Sequence, residues 1–308
     1  MVDQVTQTSD REHQIGLLLG AAAWIMWGLF PLYFALLDSV SPIEIVAHRV
    51  IWSMIFMVIV ITAVRGWNRV RSHLSWRTVG ILAAAAVLLS VNWLVYVYAV
   101  SSDQVVQASL GYFINPLVSV ALGVVVLKER MRRMQWVAIG IAAIAVLILT
   151  ISYGALPWIA LVLAISFGFY GLLKKFAGIG SLESLTIETA LLAPFALLLL
   201  FTMEMRGEAI FAVDGWGISI LLILLGPVTA LPLLAFGAAA NRIPLSTLGA
   251  LQYLTPVLQF LLGVLIFAEP MPTSRWIGFV FVWLALLVFA TDTYRNARQA
   301  RLAVNSFE

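Results

Sequence analysis

The sequence predicts an all-α integral membrane protein, with ten transmembrane helices arranged as two inverted five-helix repeats. Three observations carry that prediction. First, 62% of the 308 residues are hydrophobic and 11% are charged, where a soluble domain has roughly 45–50% and 25%. Mean hydropathy is +1.02. So much apolar surface overfills a water-facing core, whereas a bilayer accepts it in runs of about 20 residues. Second, the basic residues gather on alternate sides of those runs. Third, the chain matches itself at a single offset of 140 residues, as in Gly28 with Gly168.

The elements follow in order. The polar segment 1–14 has no basic start and no small-residue cleavage site after it, so it reads as a retained tail rather than a signal peptide. Apolar runs then place spans at 15–37, 42–64, 78–100, 105–127, 136–152, 157–173, 185–203, 216–238, 245–267 and 276–292. The sixth and tenth are short and call on flanking Lys and Arg to snorkel. Residues 293–308 form a second tail.

Charge orients the spans, because Lys and Arg accumulate in cytoplasmic loops. With residues 1–14 inside, that side carries Arg11, Arg65, Arg69, Arg71, Arg77, Lys128, Arg130, Arg132, Arg133, Lys174, Lys175, Arg242, Arg295, Arg298 and Arg301. The opposite side carries only Arg206 and Arg275, and Arg49 lies within the second span. The split, 15 to 2 among 18 basic residues, predicts both termini in the cytoplasm. A miscount of one span would scramble it.

The matches at offset 140 also pair Ser41 with Ser181, Pro116 with Pro256, Gly123 with Gly263, Glu129 with Glu269 and Trp136 with Trp276. They predict a duplication into repeats at 15–152 and 157–292. Five helices is an odd number, so the second copy enters the membrane from the other side. Inverted repeats of this kind characterise secondary transporters, whose solute site lies near the midplane at the repeat interface.

Composition also excludes functions. A net charge of +3 could suggest nucleic acid, but the basic residues sit in short interruptions rather than on one face. With no cysteine there is no disulfide or thiolate chemistry, and His13, His48 and His73 are too scattered for a zinc site. Neither HExxH nor GxxxxGK[ST] occurs, so neither an intramembrane metalloprotease nor an ATP-driven pump is predicted. The expectation is a non-enzyme without cofactor or metal, with a small solute and the lipid bilayer as its partners.

Several residues are candidates for a central cavity. Pro116 and Pro256 fall in the middle of the fourth and ninth spans, where each would free the carbonyl four residues earlier, at Tyr112 and Gln252. Either they are plain kinks, or, with Tyr112, Asn115, Gln252, Tyr253 and Thr255 beside them, they line a polar cavity. Arg49 is about two turns deep in the second span, where a charge costs at least ~2.5 kcal/mol at the centre of a helix. It calls either for an ion pair with Glu44 or a helix-end carbonyl, or for an anion or dipole of the solute. Glu44 itself is close enough to the outer end to snorkel, and it shares a face with His48.

Glu188 stands at offset 140 from His48. The two are expected in opposite thirds of the membrane, as a proton-titrating pair across the cavity. The competing reading makes Glu188 a cap for the seventh span. Asn92, Trp93, Tyr96 and Tyr170 offer amide, phenol and ring faces to an aromatic or amphipathic solute, though Trp and Tyr also serve as interfacial belt residues.

The strings His48-Arg49-Val50-Ile51-Trp52-Ser53, Asn92-Trp93-Leu94, Ala108-Ser109-Leu110-Gly111-Tyr112-Phe113-Ile114-Asn115-Pro116-Leu117-Val118, Arg132-Arg133-Met134-Gln135-Trp136 and Ser246-Thr247-Leu248-Gly249 resemble the EamA branch of the drug/metabolite transporters. The resemblance runs from about residue 14 to 292. It implies a bacterial inner-membrane permease with a cavity lined by helices 1, 3, 4, 6, 8 and 9. The reading is a secondary carrier of a small metabolite or amphipathic drug-like solute working by alternating access; a channel, a facilitator or a non-transporting membrane scaffold are the alternatives.

Overall fold

The computed structural model describes residues 2–128, 133–213, 215–240, 242–243 and 251–305. They form helices α1 (Val2–Gly28), α2 (Phe30–Ala35), α3 (Pro42–Ala63), α4 (Trp67–Ser72), α5 (Trp76–Ser101), α6 (Val105–Leu127), α7 (Arg133–Tyr153), α8 (Trp158–Ala177), α9 (Ser181–Met205), α10 (Trp216–Ala240), α11 (Leu254–Leu265) and α12 (Thr273–Asn305), with no strand among the described residues. Nine helical segments among them are long and apolar enough to cross a membrane.

Local signals set the boundaries. Ser41 and Ser75 cap α3 and α5, their hydroxyls accepting from the Glu44 and Thr78 N–H groups. Pro42 occupies the first turn of α3, where no donor is needed. Gly178 closes α8 in the left-handed region at φ 63°.

The structure departs from the expected spans at several places. The first span breaks at Leu29, because Pro31 cannot donate to the Trp27 carbonyl. That carbonyl instead accepts from Gln259 Nε2 at 3.1 Å. The sixth span extends to Ala177, which gives it the length that 157–173 lacked. Both tails are helical over their described parts, and α4 interrupts the loop after the second span.

The ninth span differs most. Its described helix, α11, has 12 residues, about 18 Å at 1.5 Å per residue, and 244–250 lie outside the described residues. Pro256 is the third residue of α11 rather than its midpoint, so its missing N–H falls among donors that have no intrahelical partner anyway. The Gln252 carbonyl is not freed: it accepts from the Thr255 N–H at 3.3 Å. Pro116, by contrast, does lie inside α6.

Helix packing shows a regular exchange pattern. Helices α7 with α12, α3 with α9, and α6 with α11 pack as pairs. The contacts of α5 with α8, α6 with α8, and α5 with α9 are matched by α10 with α1, α11 with α1, and α10 with α3. Matched residues make matched contacts as well. A Cβ on Gly28 would lie 2.7 Å from Leu258, and one on Gly168 would lie 2.9 Å from Val118. Leu258 is 140 residues beyond Val118, just as Gly168 is beyond Gly28. Both glycines therefore permit close helix approach.

Candidate functional site

A chamber of about 480 Å³ occupies the bundle. Its wall draws on α1, α2, α3, α5, α6, α8, α9, α10, α11 and Gln252, while no described residue of α7 or α12 lines it. At one end it reaches exposed Ser181, the first residue of α9, on the face where the described helices end near both termini. The other end is filled by a core that includes Phe34, Leu37, Val97, Val100, Val105 and Ile159.

Hydrogen bonds reinforce that filled end. The Tyr33 hydroxyl donates to the Leu221 carbonyl. Glu44, fully buried rather than snorkelling, accepts from the Ile210 and Phe211 N–H groups at 2.9 and 3.2 Å. Gln107 Oε1 accepts from the Ile159 N–H at 3.2 Å. Glu269 receives the Val106 N–H on both carboxylate oxygens at 3.1 Å, capping α6 from the loop before α12.

Burial beside Val106 pushes the Glu269 carboxyl up to about 7, an effect opposed by the N–H groups of Val106 and Val105 and by Arg275 and reinforced by Asp103. Burial thus favours the protonated form more than the N–H contacts favour the carboxylate. The protonated form's stabilising contribution is complete below the ordinary carboxylate range and is lost as pH rises through about 7. Thermal denaturation of the purified protein from pH 4.5 to 8 should therefore show a declining component that Glu269→Gln flattens. An unchanged slope in that variant would exclude this carboxyl as its source.

In the deep part of the chamber Arg49 is 4% exposed. Its guanidinium stands 4.0 Å from the centre of the Trp93 ring, with Phe30 and Phe34 at 5.5 and 5.6 Å. Its Nε donates to Thr229 Oγ1 at 2.9 Å. Of the alternatives for Arg49, the ion pair with Glu44 does not form: Glu44 is committed to the 210–211 backbone. Tyr96, buried edge-to-face against Tyr112, accepts from Gln259 Nε2 at 3.0 Å. Asn92 lines the chamber, but its amide nitrogen is used in the wall, donating to the Leu163 carbonyl and Ser166 Oγ, both at 3.0 Å.

Near the terminal face, Glu188 is 1% exposed and lies behind the wall rather than in it. Lys174 Nζ donates to its Oε1 at 2.8 Å and the Tyr170 hydroxyl to its Oε2 at 3.2 Å, and Lys174 also contacts Ser184 Oγ. The capping alternative fails: α9 starts at Ser181, two turns before Glu188. The carboxylate in the first turn is Glu183, which pairs with Arg69 at 2.7 Å.

The structure thus brings Arg49, Asn92, Trp93, Tyr96, Tyr112, Asn115, Tyr170, Gln252 and Pro256 to one chamber. His48 and Tyr253 are not in its wall. His48 faces Phe211 at 4.8 Å, accepts from Trp52 Nε1 and stands 3.9 Å from Glu44, so it does not oppose Glu188 across a cavity. Tyr253 packs beside the cluster around Phe260 and Phe279. Pro116 is inside α6 but outside the wall. Trp24, Phe236, Thr229, Lys174 and Gln259, which composition alone does not mark, also line the chamber. Gln259 could have been found, being an uncharged amide deep in an apolar run.

A bundle of apolar helices around a solute-sized chamber, with Arg49, Asn115, Lys174 and Gln259 in its wall, is the construction of a multi-pass membrane transporter. Residues 14–151 match the EamA-like transporter family. Protein RarD of Streptomyces exfoliatus is 51% identical over 294 residues, 95% of this chain and 93% of that protein. An uncharacterized transporter of Pseudomonas aeruginosa is 43% identical over 290 residues, 92% and 96% of the two chains. A protein of known crystal structure shares the fold at a TM-score of 0.60 and 18% identity, with 91% of this chain and 98% of that chain covered. The chain belongs to the EamA-like transporter family.

Proposed function

We propose that this chain is a secondary carrier of the bacterial inner membrane, moving a small amphipathic metabolite or drug-like solute by alternating access between two inverted five-helix repeats. The observation that carries the reading is the chamber. It lies between the halves, it reaches one face of the bundle, and its other end is closed by apolar packing and by Glu44, Gln107 and Glu269. A channel needs a route through both ends. The exchange of α1, α10 and α11 contacts for those of α8, α5 and α6 supports the duplication, since it is what two copies of one unit produce. Solute counterflow in proteoliposomes tests this: a carrier accelerates labelled solute uptake when unlabelled solute is trapped inside, and a pore does not.

With both termini in the cytoplasm, the chamber opens inward. Single cysteines near Arg69 and Arg242 should be labelled only from the cytoplasmic side and one at Glu208 only from outside, in a chain whose native cysteine count is zero. External labelling near Arg69 would overturn this orientation. Proton coupling is centred on Glu188, with Lys174 as its counterpart, because the Lys174 ammonium in the chamber wall reaches back to that buried carboxylate. Glu188→Gln should retain solute binding and lose accumulation driven by a proton gradient alone. Full accumulation in that variant would remove Glu188 from the coupling.

A further inference from the structure

The two cations in the chamber wall are not equivalent. Lys174 is matched by Glu188 at 2.8 Å, whereas Arg49 has a hydroxyl and three ring faces and, among the described residues, no carboxylate within ion-pairing distance. Ring faces attract the guanidinium but accept few of its five N–H donors, and Thr229 takes only one of them. The wall therefore carries one uncompensated positive charge, in a planar group whose donors suit a carboxylate fork.

Two acceptors complete the pattern. Asn115 Oδ1 and Gln259 Oε1 are buried without a hydrogen-bond partner in residues 3% and 2% exposed, and both residues line the chamber. The Gln259 amide nitrogen donates to the Trp27 carbonyl and the Tyr96 hydroxyl, which fixes which way its oxygen points. Trp24, Trp27 and Phe236, with ring centres 4.8 to 6.1 Å apart, form an apolar wall beside them.

We propose that the chamber takes an organic monoanion: a carboxylate held by Arg49, on an apolar body whose neutral hydrogen-bond donor is accepted by Asn115 Oδ1 or Gln259 Oε1. This rests on the carrier reading above. A dianion would leave one charge unmatched, since Lys174 is already neutralised. A zwitterion would bring an ammonium that meets amide oxygens and no free carboxylate.

The test uses the purified full chain and isothermal titration of 3-phenyllactate, 4-hydroxybenzoate and 2-hydroxyhexanoate, each beside its primary amide, with phenylalanine as the zwitterion. At least one carboxylate should bind about thirtyfold more tightly than its amide, as expected for a buried charge contact. Phenylalanine should follow the amides. Arg49→Gln should erase the difference and Arg49→Lys should restore part of it; if the Gln variant does not fold, the wild-type comparison and the Lys variant decide. Asn115→Leu with Gln259→Met should weaken phenyllactate and leave 3-phenylpropanoate unaffected.

No carboxylate exceeding its amide, absence of all binding included, overturns the proposal, as does a preference that survives Arg49→Gln. Counterflow separates the two readings. Arg49-dependent binding without counterflow removes the carrier and leaves the anion site, whereas counterflow of an amide as fast as its acid removes the anion site and leaves the carrier.

Discussion

Gly171→Trp is expected to reduce solute flux about a hundredfold or more, the scale set by misplacing a bound reactant, while the bundle stays folded. Gly171 lines the chamber, one turn from Lys174 and beside Tyr170, and a Cβ built on it meets no atom within 4 Å. An indole there displaces no wall atom at its root and projects into space that a solute would need. Replacing a helical glycine also recovers helix propensity of order 0.5 kcal/mol, so thermal stability should be unchanged or slightly raised. Proteoliposome counterflow and thermal denaturation, run on the same preparation, check both halves of the expectation. Undiminished flux in a well-folded variant would mean that solute crosses by a route other than this chamber.

Lys174→Met should have the largest effect on stability, about 3–5 kcal/mol, because it strands a buried carboxylate. The Glu188 side chain is 1% exposed and the Lys174 side chain 19% exposed. The asymmetry predicts an order among variants. Glu188→Gln leaves a lysine that can extend toward the terminal face, so its loss is smaller. Lys174→Met with Glu188→Gln leaves no stranded charge and should recover most of the stability of the parent chain. Denaturation midpoints of the four proteins form a double-mutant cycle. A double variant as unstable as Lys174→Met alone would refute the ion-pair explanation and assign the effect to packing around Tyr170 and Ser184.

The helices were legible because most apolar runs are long enough to declare themselves, and because charges such as Arg65, Arg69 and Arg71 separate one run from the next. The ninth span was the exception. Its run is continuous in sequence, yet Pro256 begins a helix there instead of bending one, and composition does not distinguish those outcomes. In the site, Arg49, Tyr112, Asn115 and Gln252 stood out as polar residues at depth, where hydrocarbon tolerates them poorly. Trp24 and Phe236 did not, since an aromatic ring in an apolar run reads equally as core, belt or chamber wall. His48 shows the remaining gap. Spacing placed it on one face with Glu44, but the rotation of α3 about its axis, which turns that face toward Phe211, depends on tertiary packing against the 206–215 loop. Lys174 looks like a loop charge in sequence, because its partner Glu188 lies 14 residues away on the next helix.

The ring-walled position of Arg49 also bears on how fast the chamber fills. Indole and phenyl faces cover much of its guanidinium in the folded protein, leaving fewer water sites around it than a surface arginine has. An arriving anion consequently displaces less water from the protein than from its own shell. At equal charge and similar size, anions that hold water loosely should load sooner than those that hold it firmly, so entry rates should follow the solutes' hydration free energies even where their final affinities are alike.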